Sequence, residues 1–140
     1  MRRNSVVSSS FSFTKIVVRD VDAAQRFYCD VLGLKLVLRF QTGENEFQLD
    51  EAILSSTGAY DGGHNLIVIQ YLNQPAPTPG EGIFGFTVAD VDATITAVLA
   101  AGGTLHRPVR HLAEHGIKVA FVKDPEGHML ELVELAPQAS

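Results

Sequence analysis

The chain has 140 residues, of which 46% are hydrophobic and 19% are charged, and its formal net charge is −5. This length fits one domain, or two small halves that share a core. The mildly acidic balance, with no basic stripe, argues against nucleic acid as a partner. No apolar run approaches the roughly 20 residues of a membrane span, and the lone Cys29 allows no intrachain disulfide. We therefore expect a cytoplasmic protein that binds neither nucleic acid nor membranes.

In chain order, the predicted elements begin after a polar arm. Residues 1–10 lack the apolar core of a secretory signal, and we interpret them as a flexible arm. A strand is predicted over Phe13–Val18, followed by a helix that begins at the cap Asp20 and ends at Gly33. Alternating and apolar runs predict three more strands, over Leu34–Phe40, Phe47–Ser55 and Asn65–Leu72. This half therefore has the order βαβββ.

The second half repeats the first with an offset of 70 residues. The segment VRDVDA at Val18–Ala23 recurs as VADVDA at Val88–Ala93. Asp90 and Gly103 take the places of the first helix's cap and terminal glycine. The predicted strands are Ile83–Val88, Thr104–His111, Ile117–Val122 and Met129–Leu135. The sequence thus predicts an α+β fold of two tandem βαβββ modules, residues 11–72 and 81–136, in one compact domain. Residues 73–80, with three prolines, are predicted to form a semi-rigid linker.

One amphipathic helix per module can cover only one face of its sheet. The opposite face is left open, so a ligand or a partner chain has to cover it.

Two segments resemble a known family. Arg26–Leu34 (RFYCDVLGL) is similar to the FYxxxLG helix end of the vicinal-oxygen-chelate superfamily. Phe121–Leu132 (FVKDPEGHMLEL) is similar to its close, F-x-x-DP-x-G-x-x-(I/L)-E-(L/I). This superfamily includes glyoxalase I, fosfomycin and bleomycin resistance proteins and extradiol dioxygenases. The resemblance covers roughly residues 11–136. It implies a mixed sheet curled around a cavity, helices on the outer face, and a homodimer.

In metal-dependent members, the resemblance implies four ligands, one from the first and one from the last strand of each module. The first-strand positions match Phe13 and Ile83, which cannot bind a metal. The final strand offers Glu131, and its counterpart in the first module is Gln70, or Ile67 in an alternative register. We favour Gln70 because the apolar pattern around it agrees better. One carboxylate and one amide do not hold a divalent metal tightly, so we expect no metal or other cofactor.

The open face is predicted to form an apolar pocket with a few polar groups, which is typical of a small-molecule site. The candidate ligand-binding residues there are Phe13, Lys15, Gln70, Ile83 and Thr87, with Glu131 as the candidate catalytic residue. Lys15 and Glu131 can form a purely structural ion pair. Alternatively, Glu131 acts as a general base on an acidic carbon or hydroxyl.

Most of the histidines lie in the second half, at positions 106, 111, 115 and 128. The spacing of His111 and His115 suits two metal ligands only on a helix, whereas Arg110–Gly116 is predicted to be a hairpin loop. We expect Arg110 and His115 of this loop to contact the ligand, with a merely solvated loop as the alternative. Arg107 and Arg110 can bind an anionic group or simply be exposed. His128 is expected at the surface.

Three functions follow from these features. The favoured one is a metal-free protein that binds a small organic molecule, as in the bleomycin-resistance branch. The second is a lyase, isomerase or dioxygenase of the glyoxalase type that uses Glu131. The third is a non-catalytic dimeric interaction module. Fold alone does not choose among them, and the missing ligands favour the first.

Overall fold

The structure is a computed structural model that describes residues 8–60 and 64–137. The predicted arm therefore lies mostly outside the described residues. The first module consists of strand β1 (Phe13–Val17), helix α1 (Val21–Asp30) and strands β2 (Lys35–Thr42), β3 (Leu49–Ser55) and β4 (Asn65–Tyr71). The second consists of β5 (Ile83–Thr87), α2 (Val91–Ala100), β6 (Thr104–Leu112), β7 (Ile117–Lys123) and β8 (Met129–Leu135).

Each module forms its own mixed four-stranded sheet. The strand orders are β1-β4-β3-β2 and β5-β8-β7-β6. In each sheet the first strand runs parallel to the last, and the other neighbours are antiparallel. Neither sheet closes into a barrel. The predicted α+β fold of two tandem βαβββ modules is confirmed.

Both helices begin as their sequences predict. Asp20 Oδ1 accepts a hydrogen bond from Ala23 N at 3.0 Å, and Asp90 Oδ1 accepts one from Ala93 N at 3.0 Å. Each cap satisfies an amide that has no partner within its helix.

The helix ends differ between the modules. Gly33 has the left-handed φ of 77° that a glycine provides after α1. After α2 that conformation belongs to Gly102, with φ 93°, and not to Gly103 as predicted. Gly103 serves a close approach instead. A Cβ there would lie 2.5 Å from the carbonyl oxygen of Lys123 and 2.5 Å from Val98 Cγ1.

One buried apolar cluster spans both modules. It contains the inner faces of both helices and alternate residues of the central strands, such as Leu66, Leu130 and Leu132. Tyr28 of α1 is fully buried, and its ring stacks on Phe86 of β5 with centroids 6.2 Å apart. The modules therefore share a core.

The turn before β8 adds polar bonds between the modules. Tyr28 Oη donates to Asp124 Oδ2 at 2.7 Å. Glu126 accepts hydrogen bonds from the backbone amides of Arg19 and Asp20 at 2.7 and 3.0 Å. Burial, and then the neighbouring Asp124 carboxylate, raise the pKa of the Tyr28 phenol well above its usual value.

Both α-helices have ten residues. Among the described residues, no helix is long and apolar enough to cross a membrane.

Candidate functional site

The candidate site is the face of the two sheets that points away from the helices, which we call the open face. Leu66, Val68, Leu130 and Leu132 belong to the helix-side core, so the residues that alternate with them point the opposite way. On the first sheet the open face carries Phe13, Lys15, Val17, Glu51, Ile53, Ile67 and Ile69. On the second it carries Ile83, Gly85, Thr87, Val119, Phe121, Glu131 and Val133.

Strand register decides which residues of the two modules correspond. Lys15 pairs with Ile67 in the first sheet, and Gly85 pairs with Glu131 in the second. Because Lys15 and Gly85 occupy equivalent places in their first strands, the counterpart of Glu131 is Ile67. The favoured assignment of Gln70 to that place was wrong, and the alternative register was right.

Gln70 lies on the helix side instead. Its Oε1 accepts a hydrogen bond from Val21 N, at the start of α1, at 2.9 Å. Glu134 does the same for Val91 N, at the start of α2, at 2.8 Å. Gln70 and Glu134 are thus matching partners of the two helix N-termini, and Gln70 does not belong to the open face.

The four places that resemble metal-ligand positions are therefore Phe13, Ile67, Ile83 and Glu131. Only one of them carries a donor atom for a metal. In residues 8–60 and 64–137, no group of three or more His, Cys, Asp or Glu side chains is placed to hold a metal ion. Divalent cations in proteins need several oxygen, nitrogen or sulfur ligands, so these residues do not fit the family's metal.

The open face of the first sheet holds an ion pair. Lys15 Nζ lies 3.3 Å from Glu51 Oε1, and it also lies 5.7 Å from the centre of the Phe13 ring. Glu51 is only 6% exposed, so its carboxylate is held out of water beside the ammonium. The predicted pairing of Lys15 with Glu131 was wrong. Sequence reasoning missed Glu51, although the two adjacent charges, Asp50 and Glu51, inside the run Leu49–Ser55 were the available signal.

Glu131 on the second sheet is placed differently. Its cross-strand neighbours are Gly85 and Phe121, which have no charge. No hydrogen bond or ion pair within the described part of the chain involves its carboxylate. Thr87, also predicted for the site, is exposed on β5 and pairs with Val133. A ligand on this sheet can therefore reach both polar groups.

The predicted loop Arg110–Gly116 is only partly a loop. Residues 110–112 belong to β6, and a short 3-10 turn, Ala113–His115, follows. His115 lies in this exposed turn, 3.7 Å from Glu114. Arg110 pairs across the strands with Val119 and so lies on the open-face side of the second sheet.

His128 is buried, and its expected surface position was wrong. It is 6% exposed because it directly precedes β8 on the same side as Leu130 and Leu132. Its Nδ1 lies 3.9 Å from Asp124 Oδ2, and its Nε2 has no hydrogen-bond partner among the described residues. It lines a groove of about 570 Å³ between β1 and the linker.

A second groove, of about 330 Å³, lies between β5 and the start of β4, and Thr14 of β1 also lines it. Thr14 of β1 and Phe84 of β5 line both grooves, so the two grooves lie next to each other.

Comparison with known proteins agrees with this geometry. Two paired βαβββ modules with one open face define a glyoxalase-like fold. The family model described as "Glyoxalase/Bleomycin resistance protein/Dioxygenase superfamily" matches residues 10–132. The chain belongs to this superfamily.

Several relatives are named as lyases. A probable lactoylglutathione lyase of Vibrio parahaemolyticus is 32% identical over 125 residues, covering 86% of this chain and 87% of the relative. The lactoylglutathione lyase of Haemophilus influenzae is 31% identical over 127 residues, covering 86% and 89%.

Solved structures show the same fold. A glyoxalase family protein from Bacillus cereus has a TM-score of 0.76 at 22% identity, covering 98% of this chain and 99% of that one. A glyoxylase/bleomycin resistance protein/dioxygenase domain from a Frankia species has a TM-score of 0.67 at 19% identity, covering 95% and 96%.

Proposed function

We propose that this protein binds a small organic molecule on its open face and does so without a divalent metal. The observation that carries the proposal is the composition of the four ligand-like positions. Phe13, Ile67 and Ile83 replace donors with apolar side chains, and Glu131 alone is left. The same substitutions enlarge the apolar surface that an organic ligand contacts, which is what such pockets commonly offer.

The polar groups of the open face fit a binding role. Lys15 is held by Glu51 and remains partly exposed, with 43% of its side chain accessible. Glu131 and Thr87 face the same side of the second sheet. A few polar groups among apolar ones fix the orientation of a ligand, while the apolar area supplies most of the affinity.

Metal content tests the metal-free part directly. The protein is purified without chelator, incubated with nickel, zinc, iron or manganese salts, desalted and analysed by mass spectrometry for bound metal. We expect a stoichiometry near zero in every case. About one metal per chain that is lost in Glu131→Gln would contradict the proposal.

A histidine control locates any metal that does bind. Metal retained by Glu131→Gln but lost in His115→Gln would belong to the exposed turn, and the proposal for the open face would stand.

Catalysis is the second candidate, because relatives that cover most of this chain are named lactoylglutathione lyases. In this role Glu131 takes a proton from an acidic carbon or hydroxyl of the bound molecule. The test is formation of lactoylglutathione by the wild-type protein and by Glu131→Gln. Turnover that falls at least about a hundredfold in the variant supports catalysis, since general bases contribute about that much or more. Turnover unchanged in the variant excludes Glu131 as the base.

We also propose a closed two-fold homodimer in the cytoplasm. Apolar side chains of the edge strand β2 are exposed in one chain, including Leu36 at 41% and Leu38 at 53%. Patches of this kind commonly mark protein contacts. A dimer that serves only association is the non-catalytic alternative. A monomer by light scattering at micromolar concentration would contradict the homodimer.

A further inference from the structure

Strand β6 contains an irregularity that β2, its counterpart, lacks. Arg107 pairs with Phe121 and Arg110 pairs with Val119, so three steps along β6 correspond to two along β7. This extra residue is a β-bulge, and Pro108 lies inside it. In a regular strand, residues 107 and 109 would share a face. The bulge instead turns Val109 toward the helix-side core and leaves Arg107 and Arg110 together on the open-face side.

Neither arginine has an ion-pair partner in the parts of the chain that the structure describes. Arg39, in contrast, is tied to Asp22 and Asp50 at 2.8 and 2.6 Å, and Arg19 lies 3.5 Å from Glu126. The places in the first sheet that correspond to Arg107 and Arg110 hold Leu38 and Phe40. Two unpaired guanidinium groups are thus a property of the second sheet alone.

Phe121 holds one of these groups in place. The Arg107 guanidinium carbon lies 5.7 Å from the centre of the Phe121 ring, a cation–π contact that restricts the side chain. The two arginines project from β6 about 7 Å apart along the strand direction. Glu131 lies two strands away, about 10 Å, with Phe121 between.

We propose that Arg107 and Arg110 together bind the carboxylate of the ligand. This inference rests on the proposed function, because it assigns the ligand class of the same open face. The ligand is a small organic acid whose apolar body lies against Phe121, Val119 and Val133. Its far end carries a hydroxyl that donates a hydrogen bond to Glu131. A singly charged carboxylate suits the planar guanidinium fork, whereas a doubly charged phosphate is repelled more strongly by Glu131.

The test compares 4-hydroxybenzoate with its neutral analogue 4-hydroxybenzamide. Each is titrated into ¹⁵N-labelled protein while the amide resonances of Val119, Phe121 and Val133 are followed. We expect both probes to shift these resonances, and the acid to bind at least about tenfold more tightly. Arg107→Gln and Arg110→Gln should each weaken the acid about tenfold and leave the amide unchanged.

Two further variants serve as controls. Arg26→Gln removes one positive charge from the exposed surface of α1 and should leave the affinity for the acid unchanged. Arg107→Lys keeps the positive charge but loses the planar pair of N–H donors. Its affinity for the acid should therefore fall between those of wild type and Arg107→Gln.

Equal affinity for acid and amide at the open face would overturn the carboxylate site and leave the proposed function standing. Acid binding that both arginine variants retain would place the acid elsewhere and also overturn it. Binding of neither probe at the open face would contradict the inference and the proposed function together.

Discussion

The two modules agree on their helix faces and differ on their open faces. Toward the helices, Asp20 and Asp90 cap in the same way, and Gln70 and Glu134 bond to matching helix amides. On the open faces, the first sheet carries the closed pair of Lys15 and Glu51. In the second sheet those places hold Gly85 and Val119.

The polar groups of the second sheet are also differently disposed. Glu131, Arg107 and Arg110 form no ion pair with one another or with other described residues. The features that the two modules share, on their helix faces, stabilise the fold. On the open faces, the first sheet pairs its charges Lys15 and Glu51 with each other, whereas the charges of Arg107, Arg110 and Glu131 on the second sheet are available to a ligand.

The largest expected loss of stability comes from truncating the shared core, and it tests whether the helix-side faces of the two modules unfold as one unit. Leu66 and Leu130 occupy equivalent places and are 8% and 0% exposed. Leu66→Ala and Leu130→Ala should each lower the free energy of unfolding by about 2–5 kcal/mol, because each leaves a cavity in the same core. Urea unfolding followed by circular dichroism and tyrosine fluorescence should stay a single transition. Separate transitions for the two probes would show that the modules unfold independently.

The next largest loss of stability is expected from removing the hydrogen bond between Tyr28 and Asp124, which joins the two modules. Tyr28→Phe leaves the buried Asp124 carboxylate without its phenol donor and should cost about 1–3 kcal/mol. The pKa of Tyr28 is raised above 10.0 in the folded protein, so the unfolded chain loses that proton first as the pH rises. Stability from Tyr28 is therefore complete below about pH 10 and declines above it.

Urea titrations at pH 8 and pH 10.5 measure this decline, and Tyr28→Phe should show less of it. An identical decline in both proteins would rule out the assignment to Tyr28.

The third largest loss of stability is expected from breaking the ion pair of Lys15 and Glu51 on the open face of the first sheet. Lys15→Met should cost about 1–2 kcal/mol, because Glu51 is then buried without a counterion while the exposed lysine limits the loss. The double variant Lys15→Met with Glu51→Val gives the first sheet an uncharged pair, as in the second. It should recover most of that loss, since an ion pair replaced by apolar groups is often neutral. A double variant less stable than Lys15→Met alone would show that the pair is net stabilising.

The smallest expected change in stability comes from the side chains that bond to the two helix N-termini, because only one of them is charged. Glu134 adds a negative charge to the bond at Val91 N, whereas Gln70 adds none at Val21 N. Gln70→Glu should stabilise the protein by about 0.3–1 kcal/mol, and Glu134→Gln should destabilise it by a similar amount. Both stability changes should become smaller in 1 M salt, because the screening length there is only about 3 Å. Changes of equal sign in the two variants would contradict this account.

The fold was predictable because its signals are local. The repeat, the capping aspartates and the strand runs each depend on neighbouring residues. β8 was predicted with its observed bounds, Met129–Leu135, and β1 with an error of one residue at its end. The exchange of Gly102 and Gly103 shows the limit, because two adjacent glycines both permit a left-handed turn and only packing against Val98 and Lys123 decides between them.

The site was less predictable because it depends on register between distant strands. Strand β4 is buried from Asn65 to Ile69 and is apolar on both faces, so no period in its sequence distinguishes Ile67 from Gln70. The burial of His128 follows from its position relative to β8. The partnership of Lys15 with Glu51 joins residues 36 apart, which no local pattern reveals.

The register that places Ile67 on the open face also sets how many substitutions a metal site on that face would need. On the metal-free function proposed above, three positions, Phe13, Ile67 and Ile83, would have to change to give a complete set of metal donors. They are unequal steps, because Ile67 is 3% exposed whereas Phe13 and Ile83 are 43% and 60% exposed. A carboxylate at position 67 is desolvated, and its neighbour Lys15 is already paired with Glu51, so it lacks a counterion of its own until a metal binds. An engineered metalloprotein on this scaffold would therefore depend on its metal for folding, and the order in which donors are introduced would decide whether its intermediates survive.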